Sequence, residues 1–261
     1  MHHEFWIVTT FNKIFGSAVA AALAPLGYHL DPAHAVPDYL VMCLIIFIGL
    51  TALSLLVRSR LSVENPGTLQ ILLEDVVGFL NGLLTEYMGP KGLRYLPLIG
   101  TVGLFIFSAN MIGKVPGMMS PTANINVTVG CAITVWVFYQ LMGLIEVGPI
   151  NFVKHFMFMP GAPWWTCFLV FPIEVVSHLS RIMSLSLRLF GNIFGEEMVV
   201  VIIASIVPFV APLPMMVLGL ITGTLQAFVF VLLTIIYLAA AVHTDHEHEN
   251  HEHEAGAHAS A

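Results

Sequence analysis

Between Glu197 and Asp245 run forty-seven residues without one Asp, Glu, Lys or Arg. Three further stretches repeat the pattern: 39–57 and 95–113 are charge-free for nineteen residues each, and 125–145 for twenty-one. A helix of about 20 apolar residues crosses a hydrocarbon core of about 30 Å. Apolar residues make up 57% of the chain and charged residues only 10%, far below the roughly 25% usual in water-soluble domains. A chain of this kind folds as an all-α polytopic membrane protein, because only helices, or closed barrels, satisfy their own backbone in lipid.

The long charge-free stretch cannot be one helix. Pro208, Pro212 and Pro214 interrupt it and divide it into two arms joined by a turn. The second arm, 215–241, reads as a simple span. The first, measured between Pro172 and Pro208, offers thirty-five residues, about 52 Å of helix at 1.5 Å per residue. Such an arm must tilt steeply, break, or lie partly along the interface. Segment 68–88 differs: Gln70, Glu74, Gly78, Asn81, Gly82 and Thr85 share one helical face, and Glu74 stands beside Asp75. That pattern suits an interfacial amphipathic helix. The expectation is about five crossings and one surface helix, with the last two crossings long and strongly tilted.

Basic residues set the orientation. The 58–94 connection holds Arg58, Arg60, Lys91 and Arg94, and the 147–163 connection holds Lys154; the other side has Lys13 and Lys114. The first two connections are therefore expected in the cytoplasm, with the N-terminus outside and the C-terminus inside. Three regions follow: an extracytoplasmic segment 1–38, a helical membrane domain 39–241, and a tail 242–261. The tail alternates His with acid and reads as solvated and disordered, with weak metal binding as the other reading. Residues 14–26 read as an ordered or interfacial segment, or else as a weak signal sequence.

Several functions are excluded. Nine basic residues against sixteen acids give a net charge of −7, which argues against a nucleic-acid partner. Cys43, Cys131 and Cys167 sit in apolar surroundings without short spacing, so they form neither a metal site nor a disulfide framework. No nucleotide-binding or hydrolase motif is present in the chain.

The first arm carries the chemistry. Glu174, Ser177, His178, Arg181, Ser184, Arg188, Asn192, Gly195 and Glu196 recur every three to four residues, a polar stripe about six turns long. Lipid does not tolerate such a face, so it must meet protein or water. Arg188 is the last basic residue of the chain and, unlike Lys, cannot discard its charge. Two placements fit it. With 188–207 upright it snorkels, together with Arg181, to the cytoplasmic rim; with a steep tilt it moves to bilayer depth, at a cost of roughly 2.5–3.5 kcal/mol. Glu196 and Glu197 follow, about 100° apart around the helix. Intramembrane carboxyls either pair or exchange protons. Gln226 is a single amide in the greasy last arm, near Thr222 and Thr224; it either bridges helices or meets the Arg188 face. Together these residues describe an ion or proton path. A secondary transporter and a purely structural membrane subunit are the competing classes, and the two halves show no convincing internal repeat.

The same residues carry a family likeness. SRIMSLSLRLFGNIFGEEM closely resembles the signature helix of subunit a of the F-type ATP synthase, and TLQAFVFVLLTIIYL resembles that subunit's last helix. FSANMIGKVPG, SPTANINVTVG, GPINFVKHF, FPIEVVSHLS and LEDVVGFLNGLL resemble its preceding segments, so the likeness covers residues 40–240. It implies a proton-translocating stator subunit of a bacterial inner membrane, with two offset half-channels and no catalytic site or cofactor of its own. The implied partners are the ring of c subunits, the b subunits of the peripheral stalk and other subunits of the synthase. Arg188 takes the role of the essential arginine facing the ring. Asn192, Glu197 and Gln226 fall at positions lining a half-channel or flanking the arginine, Glu174 and Ser177 at polar positions on the cytoplasmic side, and Asn124 and Asn126 in an outer loop motif. The chain departs from the pattern at two places: Gly219 stands where some members have His, and Glu196 where Gly is common.

Overall fold

The computed structural model describes residues 6–23, 36–63, 66–115, 118–148, 167–207, 210 and 212–242. The His-rich tail beyond residue 242 and residues 149–166, with Lys154, lie outside them. Every regular element among the described residues is helical: α1 (Trp6–Leu23), α2 (Asp38–Ser59), α3 (Thr68–Met88), α4 (Leu96–Ile112), α5 (Ile125–Val147), α6 (Cys167–Ile206) and α7 (Pro212–Val242). Short 3-10 turns at Pro90–Tyr95 and Pro121–Ala123 precede α4 and α5.

Six helices, α2 to α7, are long and apolar enough to cross a membrane. This is the polytopic helical architecture that the charge-free stretches predict. The sixth candidate is α3, the segment whose acids suggested an interfacial position; it is the least apolar of the six. Glu74 and Asp75 are exposed, while Leu80, Leu84 and Met88, four residues apart, form its packed side.

The 40 residues of α6 form one unbroken helix, about 60 Å long. Of the ways to accommodate so long an arm, a break is not the one used. The helix starts five residues before Pro172 and runs through it. The ring removes only the bond to the Phe168 carbonyl, and the helix resumes. Pro212 and Pro214 sit in the first turn of α7, where backbone N–H groups have no helical acceptor to lose. Gly89 and Gly148, at φ of 67° and 82°, end α3 and α5 in a region that other residues rarely adopt.

The chain divides into two compact units. The first comprises Met1–Leu73, Gly103–Val127 and Leu189–Ala227. Its α1 and α2 pack through Val8, Val41 and Met42. Buried Asn12 clasps the backbone before α2, donating to the Val36 carbonyl and accepting from its N–H, each at 3.2 Å. Gln70 holds both backbone groups of Ser62 in the same way, at 3.2 and 3.1 Å. Such amide clasps satisfy chain ends that no helix covers.

The second unit comprises Glu74–Val102, Thr128–Arg188 and Phe228–Ala261. Tyr139, Phe230, Ile235 and Leu238 are among its large, fully buried side chains. Arg94 pairs with Glu146 and lies 4.9 Å from the Tyr95 ring centre.

Two glycines of the fold differ sharply in the space around them. A Cβ at Gly113 would lie 2.6 Å from the Ser120 Cβ and 3.0 Å from its N, whereas one at Gly78 would meet nothing within 4 Å. Gly113→Ala is expected to lower stability by about 1–3 kcal/mol. Gly78→Ala should be neutral or raise it by up to about 1 kcal/mol. Thermal unfolding in detergent compares the two; equal effects would contradict the packing at Gly113.

Candidate functional site

Each unit holds a cluster of polar side chains in otherwise apolar packing. In the first unit, α6 delivers Glu196 and Glu197. The Glu196 carboxylate pairs with Lys114, and both side chains are only 13% exposed. Neither charge of such a pair can be removed alone without stranding the other. Glu197 accepts a hydrogen bond from the Ser120 N–H at 3.2 Å. From Ser120 a polar file continues inward. Its hydroxyl lies 2.7 Å from that of Thr122 and donates to the Ala109 carbonyl at 2.8 Å. Thr122 donates to Asn110 Oδ1 at 2.8 Å, and Asn110 Nδ2 donates to the Gly223 carbonyl of α7 at 3.0 Å. Asn110 and Thr122 are fully buried. One turn beyond Arg188, Asn192 donates to Gln226 Oε1 at 2.7 Å. Gln226 thus bridges α6 and α7 through a residue of the polar stripe that also carries Arg188.

Two buried polar atoms of this unit, Glu196 Oε2 and Gln226 Nε2, have no partner among the described residues. Buried polar atoms in folded proteins are nearly always paired with protein or water. Unpartnered ones beside two acids mark a place suited to water and protons.

The departures at residues 196 and 219 have a common geometric explanation. A Cβ built at Gly219 would overlap the Glu196 carboxyl. The α6 acid thus occupies the space that a larger α7 side chain would fill. The glutamate in this position and a larger side chain at residue 219 exclude one another.

In the second unit, Glu174 lies 3.3 Å from His178 Nε2, Ser177 is half-buried beside them, and the Tyr139 hydroxyl of α5 lies 3.0 Å from His178 Nδ1. Arg181 sits over the Tyr237 ring of α7, 5.2 Å from its centre. Arg188 is different. It is exposed, as are Ser184 and Leu187, whereas Leu185, Ser186 and Leu189 are buried. The stripe that looked continuous in sequence is half-buried from Glu174 to Arg181, turns outward at Ser184 and Arg188, and is half-buried again at Gly195 to Glu197. Arg188 has no ion-pair partner among the described residues.

The sequence pattern placed Glu196, Glu197, Asn192 and Gln226 correctly on helices but missed their surroundings. Lys114, Asn110, Ser120 and Thr122 went unassigned, although a single Lys directly after the charge-free stretch 95–113 was a visible signal.

Residues 39–239 match the family described as ATP synthase A chain. The chain is 41% identical to ATP synthase subunit a 1 of Syntrophotalea carbinolica, over 94% of this chain and all of the relative. It is 42% identical to ATP synthase subunit a of Citrifermentans bemidjiense and 40% identical to that of Geobacter sulfurreducens, over the same shares. With the match running through α6 and α7 and with relatives of this identity covered over their whole length, the chain belongs to the subunit a family of the F-type ATP synthase.

Proposed function

We propose that this proton-translocating, multi-pass membrane-sector subunit couples proton flow to rotation of a c-subunit ring through Arg188, using two offset half-channels. The observation that carries the reading is the outward exposure of Arg188 on a helix whose adjacent residues, Leu185 and Leu189, are buried. A permanent cation pointing away from its own chain within a membrane-spanning helix needs an anion from elsewhere. A carboxylate on each passing c subunit supplies that anion.

The electrostatics then dictate the cycle. A ring carboxyl is neutral while it faces lipid, since burying its charge is prohibitive. Beside Arg188 the ionised form is favoured. The half-channels open to opposite sides, so a proton loaded from one side leaves on the other only after the ring turns. Arg188 repels a proton moving directly between them. Glu197, with Asn192, Gln226 and Glu196, lines one route; Glu174 and Ser177 line the other. Support for the first route comes from the two acids and from the unpartnered Glu196 Oε2 and Gln226 Nε2. The b subunits and the remaining synthase subunits are further partners, the N-terminus is periplasmic, and the C-terminus is cytoplasmic. The 68–88 helix lies at the interface.

Arg188→Ala is expected to abolish ATP synthesis and ATP-driven proton pumping while the complex still assembles. Arg188→Lys should do nearly the same, because a point charge that can be neutralised replaces a fixed planar one. Assays on inverted membrane vesicles check both, and normal coupling in Arg188→Ala would contradict the reading.

Glu197→Gln should slow passive proton conduction through the membrane sector; an unchanged rate removes Glu197 from the route. Lys114→Ala strands the Glu196 carboxylate and should destabilise the assembled subunit by about 3–5 kcal/mol. The double change with Glu196→Gln should recover most of that loss, as read by thermal unfolding of the purified complex.

A further inference from the structure

The second unit contains titratable groups to which the proposed cycle gives no task. His178 touches a proton-exchanging group at each ring nitrogen: Glu174 at 3.3 Å from Nε2 and the Tyr139 hydroxyl at 3.0 Å from Nδ1. A histidine that only ties two helices together needs one such contact. The Glu174 side chain is 39% exposed, the His178 side chain 13%, and Tyr139 is 2% exposed, so the three groups form a file that runs from accessible surface to the interior. Beyond Tyr139 the file meets a small cavity lined by Trp136, Tyr139, Arg181, Leu185 and Tyr237, with room for roughly one water molecule. Trp136 Nε1 is buried and has no partner among the described residues. Along α6 the residues Glu174, His178, Arg181, Leu185 and Arg188 are spaced four, three, four and three apart, which is one side of a helix. The cavity therefore lies along the same line that leads to Arg188, one turn past Leu185.

We infer that Tyr139 and His178 form a proton relay between this cavity and Glu174, and so make up the inner part of the half-channel on the Glu174 side. The inference rests on the proposed function. In the relay a cavity water that has taken a proton from a rotor carboxyl gives one to the Tyr139 oxygen as the phenolic hydrogen passes to His178 Nδ1, and the hydrogen on Nε2 passes to Glu174. One proton enters and one leaves, and the imidazole ends with its hydrogen on Nδ1; proton exchange that loads Nε2 and unloads Nδ1 restores the starting tautomer. Transfer in the other direction uses the same bonds. The charged and titratable groups that face the imidazole are Glu174 and Arg181 on α6 and Tyr139 on α5, with Tyr237 of α7 tilted by 48° beyond Tyr139 at 6.2 Å between ring centres. Arg181 is held over the Tyr237 ring, which keeps a fixed positive charge beside the file and leaves the imidazole as the group that exchanges.

The test uses the whole synthase in proteoliposomes. Passive proton conduction through the membrane sector is measured from about pH 5 to 8, the interval in which imidazoles exchange protons, for Tyr139→Phe, His178→Gln and the pair together. The relay predicts at least about a tenfold loss for each single change, no further loss in the pair because both act on one file, and disappearance of the pH dependence seen with the unchanged protein. Conduction within about twofold of the unchanged protein, or a loss of the same factor at every pH, overturns it. Tyr139→Phe keeps the ring packed against His178 and decides the matter should His178→Gln fail to assemble. Arg188→Ala in the same preparation separates the two levels. Coupled pumping that survives in Arg188→Ala overturns the proposed cycle; coupling that is lost there, beside full conduction in Tyr139→Phe, overturns the relay alone.

Discussion

Charge inside a lipid layer is the constraint on which the rest of the molecule depends. A guanidinium cannot be neutralised, and a carboxylate or ammonium left alone in an apolar medium costs several kcal/mol. The chain answers in two ways. Lys114 and Glu196 cancel each other within one unit, and Arg94 and Glu146 do so in the other. Arg188 alone among the arginines of α6 is left with neither an ion pair nor an aromatic face among the described residues, and its helix turns it outward. Where lipid alone surrounded such a group, the helix would be poorly inserted. Where a partner brings an acid, the same exposure becomes a docking point for charge.

The contrast between α6 and its neighbours shows how the fold serves that arrangement. A helix of 40 residues supplies the acids of both units and the arginine. Its Leu185, Leu189 and Ile193 are almost wholly buried and set its rotation, and Arg188, roughly 60° to 140° around the helix from them, is left exposed. The glycines make the close approaches possible: Gly113 lets Ser120 come within reach of Glu197, and Gly219 leaves room for the Glu196 carboxyl.

The helical architecture was legible because lipid imposes a length and a composition on each crossing, and runs such as 39–57 and 125–145 meet both without ambiguity. The acids and the arginine were legible because charge is rare in such runs. The continuous stripe was only half right. A period of 3.6 residues tells which side chains share a face of α6, but not which neighbours cover that face along its length, and the cover changes between Arg181 and Arg188. The partners of the acids left no local trace. Lys114 lies 82 residues from Glu196, and Ser120 reaches Glu197 through its backbone N–H, a group that every residue except proline possesses. The space relation between Glu196 and Gly219 showed in sequence as two unrelated oddities, and three-dimensional packing makes them one.

The central claim is that Arg188 faces an acid supplied by a moving partner. A structure of the assembled synthase in a lipid nanodisc measures this directly. The account predicts the Arg188 guanidinium within about 4 Å of a rotor carboxylate, or joined to it through one water, at the depth of the hydrocarbon core. An Arg188 side chain extended into the headgroup layer, with no rotor acid near it in any rotary state, would contradict the account.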